Sequence, residues 1–233
     1  MNVYETFAAE YYDAARHPTC ANFREASRLL IEPLVADYSQ LGPVCEVGCG
    51  MSILADMLVD GVPGLDTLLL TDSAASMLEY SAEWIQKSAI SLIADAAELP
   101  LGNDSVGFFV ASLGDPYNGT QLWSELSRVL SPGGHIVFTT PSYEWASRYR
   151  ASEGSEISKA EFWLADGSVV AAPSIILDAE AQTKMIVATQ SLQVINVQAV
   201  RYSRLPSLNI SPKLKIAEDG DLPVVTAYVA RKG

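Results

Sequence analysis

The chain has 233 residues and is poor in several residue types. Histidine occurs only as His17 and His135, and cysteine only as Cys20, Cys45 and Cys49, with no Cys-x-x-Cys pair and no ligand cluster. That pattern leaves no metal site to assign. An odd number of thiols, two of them in or beside a glycine turn, points to reduced cysteines and a cytoplasmic setting. Positive charge is scarce as well. The 15 Lys and Arg face 28 Asp and Glu, a net charge of −13, and no basic cluster offsets it. Such a chain repels phosphate backbones, which disfavours nucleic acid as a partner. No apolar run approaches the roughly 18–20 residues of a membrane helix. The first residues lack the basic and apolar regions of a secretory signal, so no membrane association is expected. Nothing in the sequence speaks to oligomeric state.

Hydrophobic residues make up 49% of the chain, enough for the core of one α/β domain spanning residues 1–233. The charge is uneven: residues 1–144 sum to −14 and residues 145–233 to +1. Apolar spacing near 3.6 predicts two helices within 1–41, separated at Pro18. Strands are predicted at 43–47, 67–71, 90–93, 106–112 and 135–140. Between them fall helices at 52–59, after Asp72-Ser73, and at 120–130. The first of these helices is closed by Gly61 and Pro63-Gly64. This alternation argues for a parallel sheet covered on both faces. After 145 the rhythm changes. Asp166-Gly167 between 161–165 and 168–172 signals a two-residue hairpin, followed by a helix at 179–191 and strands at 194–200 and 224–230. The implied organisation is a helical cap (1–41), a core (42–145), a hairpin insertion (146–178) and a C-terminal helix with two strands (179–233).

Chemistry concentrates where the first strand runs into Glu46-Val47-Gly48-Cys49-Gly50-Met51-Ser52. Two close glycines let backbone approach a nucleotide-like ligand at the carboxyl edge of a parallel sheet. The dinucleotide fingerprint requires a third glycine where Ile53 stands, which disfavours a nicotinamide cofactor. Asp72 ends the second strand, Asp95-Ala96 follow the third, and Ser131-Pro132-Gly133-Gly134 precede the fifth.

In this order and spacing the residues resemble the class I S-adenosylmethionine-dependent methyltransferases, closely over about 40–145 and loosely at the last two strands. Ser52 stands where the family's loop has its third glycine. The resemblance implies a doubly wound, seven-stranded, mostly parallel sheet of Rossmann-like type, with the last strand antiparallel, an N-terminal helical cap and the hairpin inserted after strand five. It implies S-adenosylmethionine as methyl donor, with S-adenosylhomocysteine as product. Gly48 and Gly50 would lie against its methionine and ribose portions, and Glu46 would reach its amino group directly or through water. Asp72, with Ser73 beside it, would hold the ribose hydroxyls. Asp95 and Ala96 would address adenine, and Ser112 and Leu113 would border the sulfonium.

The acceptor side is less legible. Asp115-Pro116-Tyr117 partly resembles the Asp-Pro-Pro-Tyr motif of nucleobase amino-methyltransferases, with one proline missing and an offset of Leu113-Gly114. Asp115 and Tyr117 are candidates for catalytic contact and Asn118 for the substrate pocket; a plain turn is the alternative. His17 could act as a general base near neutral pH or simply pack. Tyr4, Tyr11 and Tyr12 could close over the cofactor or form core. Tyr143, Trp145 and Trp163 are candidate pocket residues, with Glu144 and Arg148 beside the first two. The expected activity is methyl transfer to a small-molecule acceptor by in-line displacement. A nucleobase or protein side chain as acceptor, or a non-catalytic cofactor-binding subunit or sensor, are the alternatives.

Overall fold

The apolar runs at 44–47 and 106–111 become the two central strands of a seven-stranded sheet. The structure is a computed structural model that describes residues 2–58, 65–154, 158–206 and 209–233. Strand β1 (Val44–Val47) pairs in parallel with β2 (Leu68–Asp72) and with β4 (Val106–Ala111). Outside them lie β3 (Ile90–Ile93) and β5 (Leu130–Pro141), also parallel. Strand β9 (Pro223–Lys232) runs antiparallel to β5 and to β8 (Leu192–Arg201), giving the order β3-β2-β1-β4-β5-β9-β8. A separate hairpin joins β6 (Lys159–Trp163) to β7 (Val169–Pro173). Strand order reverses between β1 and β4, so a crevice opens at their carboxyl ends, the usual binding position in such sheets.

Both faces are covered, and the period-two alternation of the strands shows it. Val44, Phe108 and Val110 pack with Ile31 and Val35 of α2 (Pro18–Tyr38) and Leu54 of α3 (Leu54–Leu58). Cys45, Val47 and Phe109 pack on the other side. Their partners are Trp123 and Leu126 of α6 (Thr120–Val129) and Ile186 of α8 (Ala179–Val187).

Several boundaries depart from the sequence reading. In place of a first long helix, residues 3–17 make a 3-10 turn (Val3–Thr6) and one helical turn, α1 (Ala8–Tyr11). The separation expected at Pro18 is present: α2 starts there, because a first-turn proline has no N–H bond to lose. The helix after β2 is divided into α4 (Ala75–Leu78), a 3-10 turn and α5 (Ala82–Gln86). The end of the helix expected at 52–59, with Gly61 and Pro63-Gly64, lies outside the described residues. Strand β5 begins at Leu130, paired with Val106, and carries the Pro132-Gly133-Gly134 stretch inside it. The hairpin turn is wider than two residues: Leu164 N–H donates to the Ser168 carbonyl at 2.9 Å, and Gly167 sits at φ +85°.

One helix was not foreseen, α7 (Tyr143–Glu153). Ser142 caps it by accepting from the Trp145 N–H, and Gly154 ends it in the left-handed conformation. Its arginines and glutamates blur the apolar period, so only the two caps announced it.

Candidate active site

The glycine turn takes its shape from its neighbours. Gly48 lies at φ +61° and Gly50 at φ +44°, a region other residues enter only with strain. A Cβ on Gly48 would fall 2.6 Å from the Tyr117 hydroxyl. Glu46 is buried beneath the turn and caps α3, accepting from the Ser52 hydroxyl and from the Ile53 and Leu54 N–H groups at 3.0 and 3.2 Å. Burial pushes its pKa up against those hydrogen bonds.

Asp72, at the end of β2, joins the turn to the next helix. One oxygen accepts from Gly50 N–H at 3.0 Å and the other from Ala74 N–H at 2.9 Å. Burial raises its pKa also, with these bonds opposing the shift. Each carboxylate oxygen keeps a second lone pair for a ligand. Ser73 accepts from the Asn2 side chain at 2.8 Å, and Asp95 accepts from Ala97 N–H at 2.8 Å.

After β4, Leu113 adopts φ +54°. Its N–H donates to the Thr139 hydroxyl at 2.9 Å, and Ser27 links the Thr139 and Ser112 hydroxyls at 2.6 and 2.8 Å. A non-glycine residue held left-handed at a strand end by three hydroxyls is a positioned feature of the crevice.

These groups wall a cavity of about 530 Å³. Glu46, Gly48, Asp72, Ser73, Asp95 and Ala96 line it, as do Ser112, Leu113 and Tyr117, and Gly50 sits behind Tyr12. Tyr4, Tyr11 and Tyr12 close it from the N-terminal side. Tyr12 accepts from Met51 N–H at 2.7 Å. The N-terminal segment is fastened to the hairpin: Phe7 packs on Phe162 with ring centres 4.6 Å apart, and Glu10 accepts from Ala165 N–H at 3.0 Å.

A second chamber of about 790 Å³ adjoins the first. Tyr4, Tyr11, His17, Cys20, Leu113 and Pro116 border both. His17 is buried, edge-on to Phe162 at 5.8 Å, and its Nε2 has no hydrogen-bond partner among the described residues. Burial lowers its pKa, so the imidazole is neutral near pH 7. Asp115 accepts from the Ser174 hydroxyl at 2.7 Å, and burial pushes its pKa up to about 6. Trp145 and, at the rim, the 64% exposed Trp163 belong to this chamber.

Three expected site residues require correction. Asn118 lines neither chamber: its amide is buried, bonded to the Ile175 carbonyl at 3.0 Å, Gln182 at 2.7 Å and Trp123 Nε1 at 3.1 Å. Tyr143 begins α7 with 44% of its surface exposed and also lines neither. Tyr117 faces the first chamber only, its hydroxyl donating to the Val47 carbonyl at 2.8 Å. The 3-10 turn Asp115–Tyr117 turns it back over the glycines instead of toward the second chamber.

Other residues went unnoticed in the sequence. Arg24 donates to the Met51 and Ser52 carbonyls at 2.5 and 3.3 Å and supports the glycine turn. Arg150 donates to the Ser174 hydroxyl at 2.9 Å, behind Asp115. Lys213 reaches the second chamber from the distant 3-10 helix Pro212–Ala217. None stands in a local motif, and only the fold brings them in. Among the described residues no His, Cys, Asp and Glu group could hold a metal ion, and the three cysteines are free thiols.

Residues 45–138 match the family model for a methyltransferase domain. No curated protein matches the chain. The fold is similar to that of an S-adenosylmethionine-dependent methyltransferase from Mesorhizobium loti, at 16% identity and TM-score 0.61, over 90% of this chain and 100% of that one. It is similar as well to geranyl diphosphate C-methyltransferase from Streptomyces coelicolor, solved with geranyl diphosphate and S-adenosylhomocysteine. Identity there is 14%, TM-score 0.63 and coverage 88% and 78%. A third is 1,6-didemethyltoxoflavin-N1-methyltransferase from Burkholderia thailandensis, at 14% identity and TM-score 0.58, over 99% and 87%. The match over residues 45–138 and the shared fold support a class I, S-adenosylmethionine-dependent methyltransferase, with no subfamily specified. The donor of this class is S-adenosylmethionine, and a cradle of two positive-φ glycines facing a buried carboxylate suits it.

Proposed function

We propose that the chain methylates a small-molecule acceptor seated in the second chamber. The observation that carries this reading is the pair of contiguous chambers, about 530 and 790 Å³, sharing His17 and Leu113 as a common wall. Spaces of this size suit small ligands rather than a duplex or a protein surface. The net charge of −13 further disfavours a nucleic-acid substrate. The Streptomyces and Burkholderia enzymes, each solved with a small molecule and S-adenosylhomocysteine, have this fold.

S-adenosylmethionine supplies a methyl carbon already activated by its sulfonium, so the protein's task is mainly alignment. Gly48 and Gly50 give backbone access to the methionine and ribose portions. Asp72, with Ser73 at its side, accepts from the ribose hydroxyls on its free lone pairs. Glu46 acts through the turn that it braces. Asp95 and Ala96 border adenine, and Ser112 and Leu113 border the sulfonium. His17, neutral at the shared wall with its Nε2 unpaired among the described residues, takes the proton when the acceptor must lose one as the new bond forms. Asp115, held by Ser174, orients a donor group on the acceptor. Tyr11, Tyr12 and the hairpin exclude water.

A labelled-methyl transfer screen on size-fractionated cell extract tests the reading. Label is expected in low-molecular-weight products. Label confined to protein or nucleic acid, or cofactor binding with no transfer, would overturn it.

A further inference from the structure

The two chambers differ in charge. The first is walled by the carboxylates Glu46, Asp72 and Asp95 against one cation, Arg24, a balance suited to a sulfonium. In the second the balance among the described lining residues reverses: Arg16, Arg150, Lys159 and Lys213 stand with Asp115 and Glu161. In a chain of net charge −13 this is an unusual concentration of positive groups. A concave space so lined focuses a positive potential on whatever enters it.

The four cations are not equivalent. Arg16 is engaged by Glu10 and Asp13 at 3.7 and 3.6 Å, and Arg150 is turned onto Ser174. Lys213 is different. Among the described residues no carboxylate lies within ion-pair distance of its ammonium, which stands 5.7 Å from the centre of the Tyr149 ring. Its backbone is fixed in place: the Trp145 indole N–H donates to its carbonyl at 2.9 Å, and Trp145 stacks on Tyr149 at 5.2 Å. Ser211, which caps the 3-10 helix Pro212–Ala217, donates its N–H to Asn22 of α2 at 2.8 Å, tying this helix to the one that begins beside His17. The ammonium is near enough to act on both His17 and Cys20, opposing protonation of the first and favouring the thiolate of the second. A cation on an anchored backbone, beside an aromatic ring at the chamber wall and with no carboxylate at ion-pair distance among the described residues, is suited to anchor an anion.

We propose that the methyl acceptor carries a carboxylate or phosphate group, and that Lys213 holds this group while the acceptor's apolar body lies against Tyr149, Trp145 and Phe162. The proposal rests on the small-molecule reading of the second chamber, and adds the chemical class of the molecule.

The test is binding without turnover, on protein saturated with S-adenosylhomocysteine. Titration calorimetry would compare 4-hydroxybenzoate and phenyl phosphate with the neutral 4-hydroxybenzamide. At least one anion is expected to bind about tenfold more tightly than the amide. The better of the two distinguishes a carboxylate from a phosphate acceptor. In Lys213→Gln the preference should fall to within about threefold, in Lys213→Arg it should survive in part, and S-adenosylhomocysteine affinity should stay within about twofold in both. Raised salt should erode the preference in the unmodified protein. Equal binding of acid and amide, no detectable anion binding, or a preference that persists in Lys213→Gln would overturn the proposal. If Lys213→Gln fails to fold, the acid–amide comparison in the unmodified protein decides alone. Anion preference with methyl label found only on macromolecules would instead overturn the small-molecule reading and leave the anion site standing.

Discussion

The Tyr117 hydroxyl donates to the Val47 carbonyl at 2.8 Å and thereby lays the phenol ring across Gly48. The turn after β4 thus clamps the turn after β1, and the two walls of the crevice become one unit. Tyr117 by sequence position suggested a contact to the acceptor; in the structure it lines the first chamber over Gly48, and the proposed function places the donor there. Tyr117→Phe keeps the ring and removes a buried hydrogen bond, a loss of about 1 kcal/mol. S-adenosylhomocysteine affinity measured by calorimetry should drop a few-fold, with transfer falling in parallel. Unchanged donor affinity would return Tyr117 to the acceptor side.

Gly48→Ala should be more damaging than Tyr117→Phe. The new methyl group meets the Tyr117 ring at 2.6–2.9 Å while the backbone is held at φ +61°. Both sterics and backbone strain oppose it, at about 1–3 kcal/mol for the strain alone. The folded variant is expected to lose donor affinity by at least about tenfold, roughly 1.4 kcal/mol. A donor affinity within twofold of the parent would show that the turn relaxes freely.

Asn118 has a structural duty. Its amide satisfies Trp123, Gln182 and the Ile175 carbonyl at once, all between α6 and α8. Asn118→Ala leaves several buried groups unpaired, and a destabilisation of about 2–4 kcal/mol is expected in denaturant titration. Under conditions where the variant is folded, its donor affinity should match the parent. Selective loss of transfer without loss of stability would restore it to the substrate pocket.

What the sequence discloses and what it hides divide on physical grounds. Glu46, Gly48, Gly50 and Asp72 are legible because a tight turn and a strand end each impose local demands on residue type, at fixed spacing. The strands are legible because burial on both faces leaves continuous apolar runs such as 106–111. Arg24, Arg150 and Lys213 are not, since long polar side chains from distant elements meet only after folding. Helix α7 escaped because its turn-facing arginines and glutamates mask the period, though Ser142 and Gly154 bracket it. Asn118 misled for a related reason: a polar residue beside a turn reads as loop until Trp123 and Gln182 are seen to need its amide.

The last prediction concerns pH. Burial raises the Asp115 carboxyl from its ordinary value near 3.8 to about 6, with Ser174 and Arg150 pulling the other way. The folded chain therefore binds this proton more tightly than the unfolded chain does. Stability from this group is complete below about pH 4 and is lost as pH rises through about 6. An amide does not titrate, and the Asn carbonyl can still accept from Ser174. In Asp115→Asn this pH-dependent loss should be absent, whatever constant offset the missing charge leaves beside Arg150. Relative to the variant, the parent should lose up to about 3 kcal/mol between pH 4 and 7. Denaturant titrations of both proteins across that range measure the difference. A stability gap that stays constant with pH, or one that widens in the parent's favour as pH rises, would show that Asp115 is ionised in the folded protein throughout.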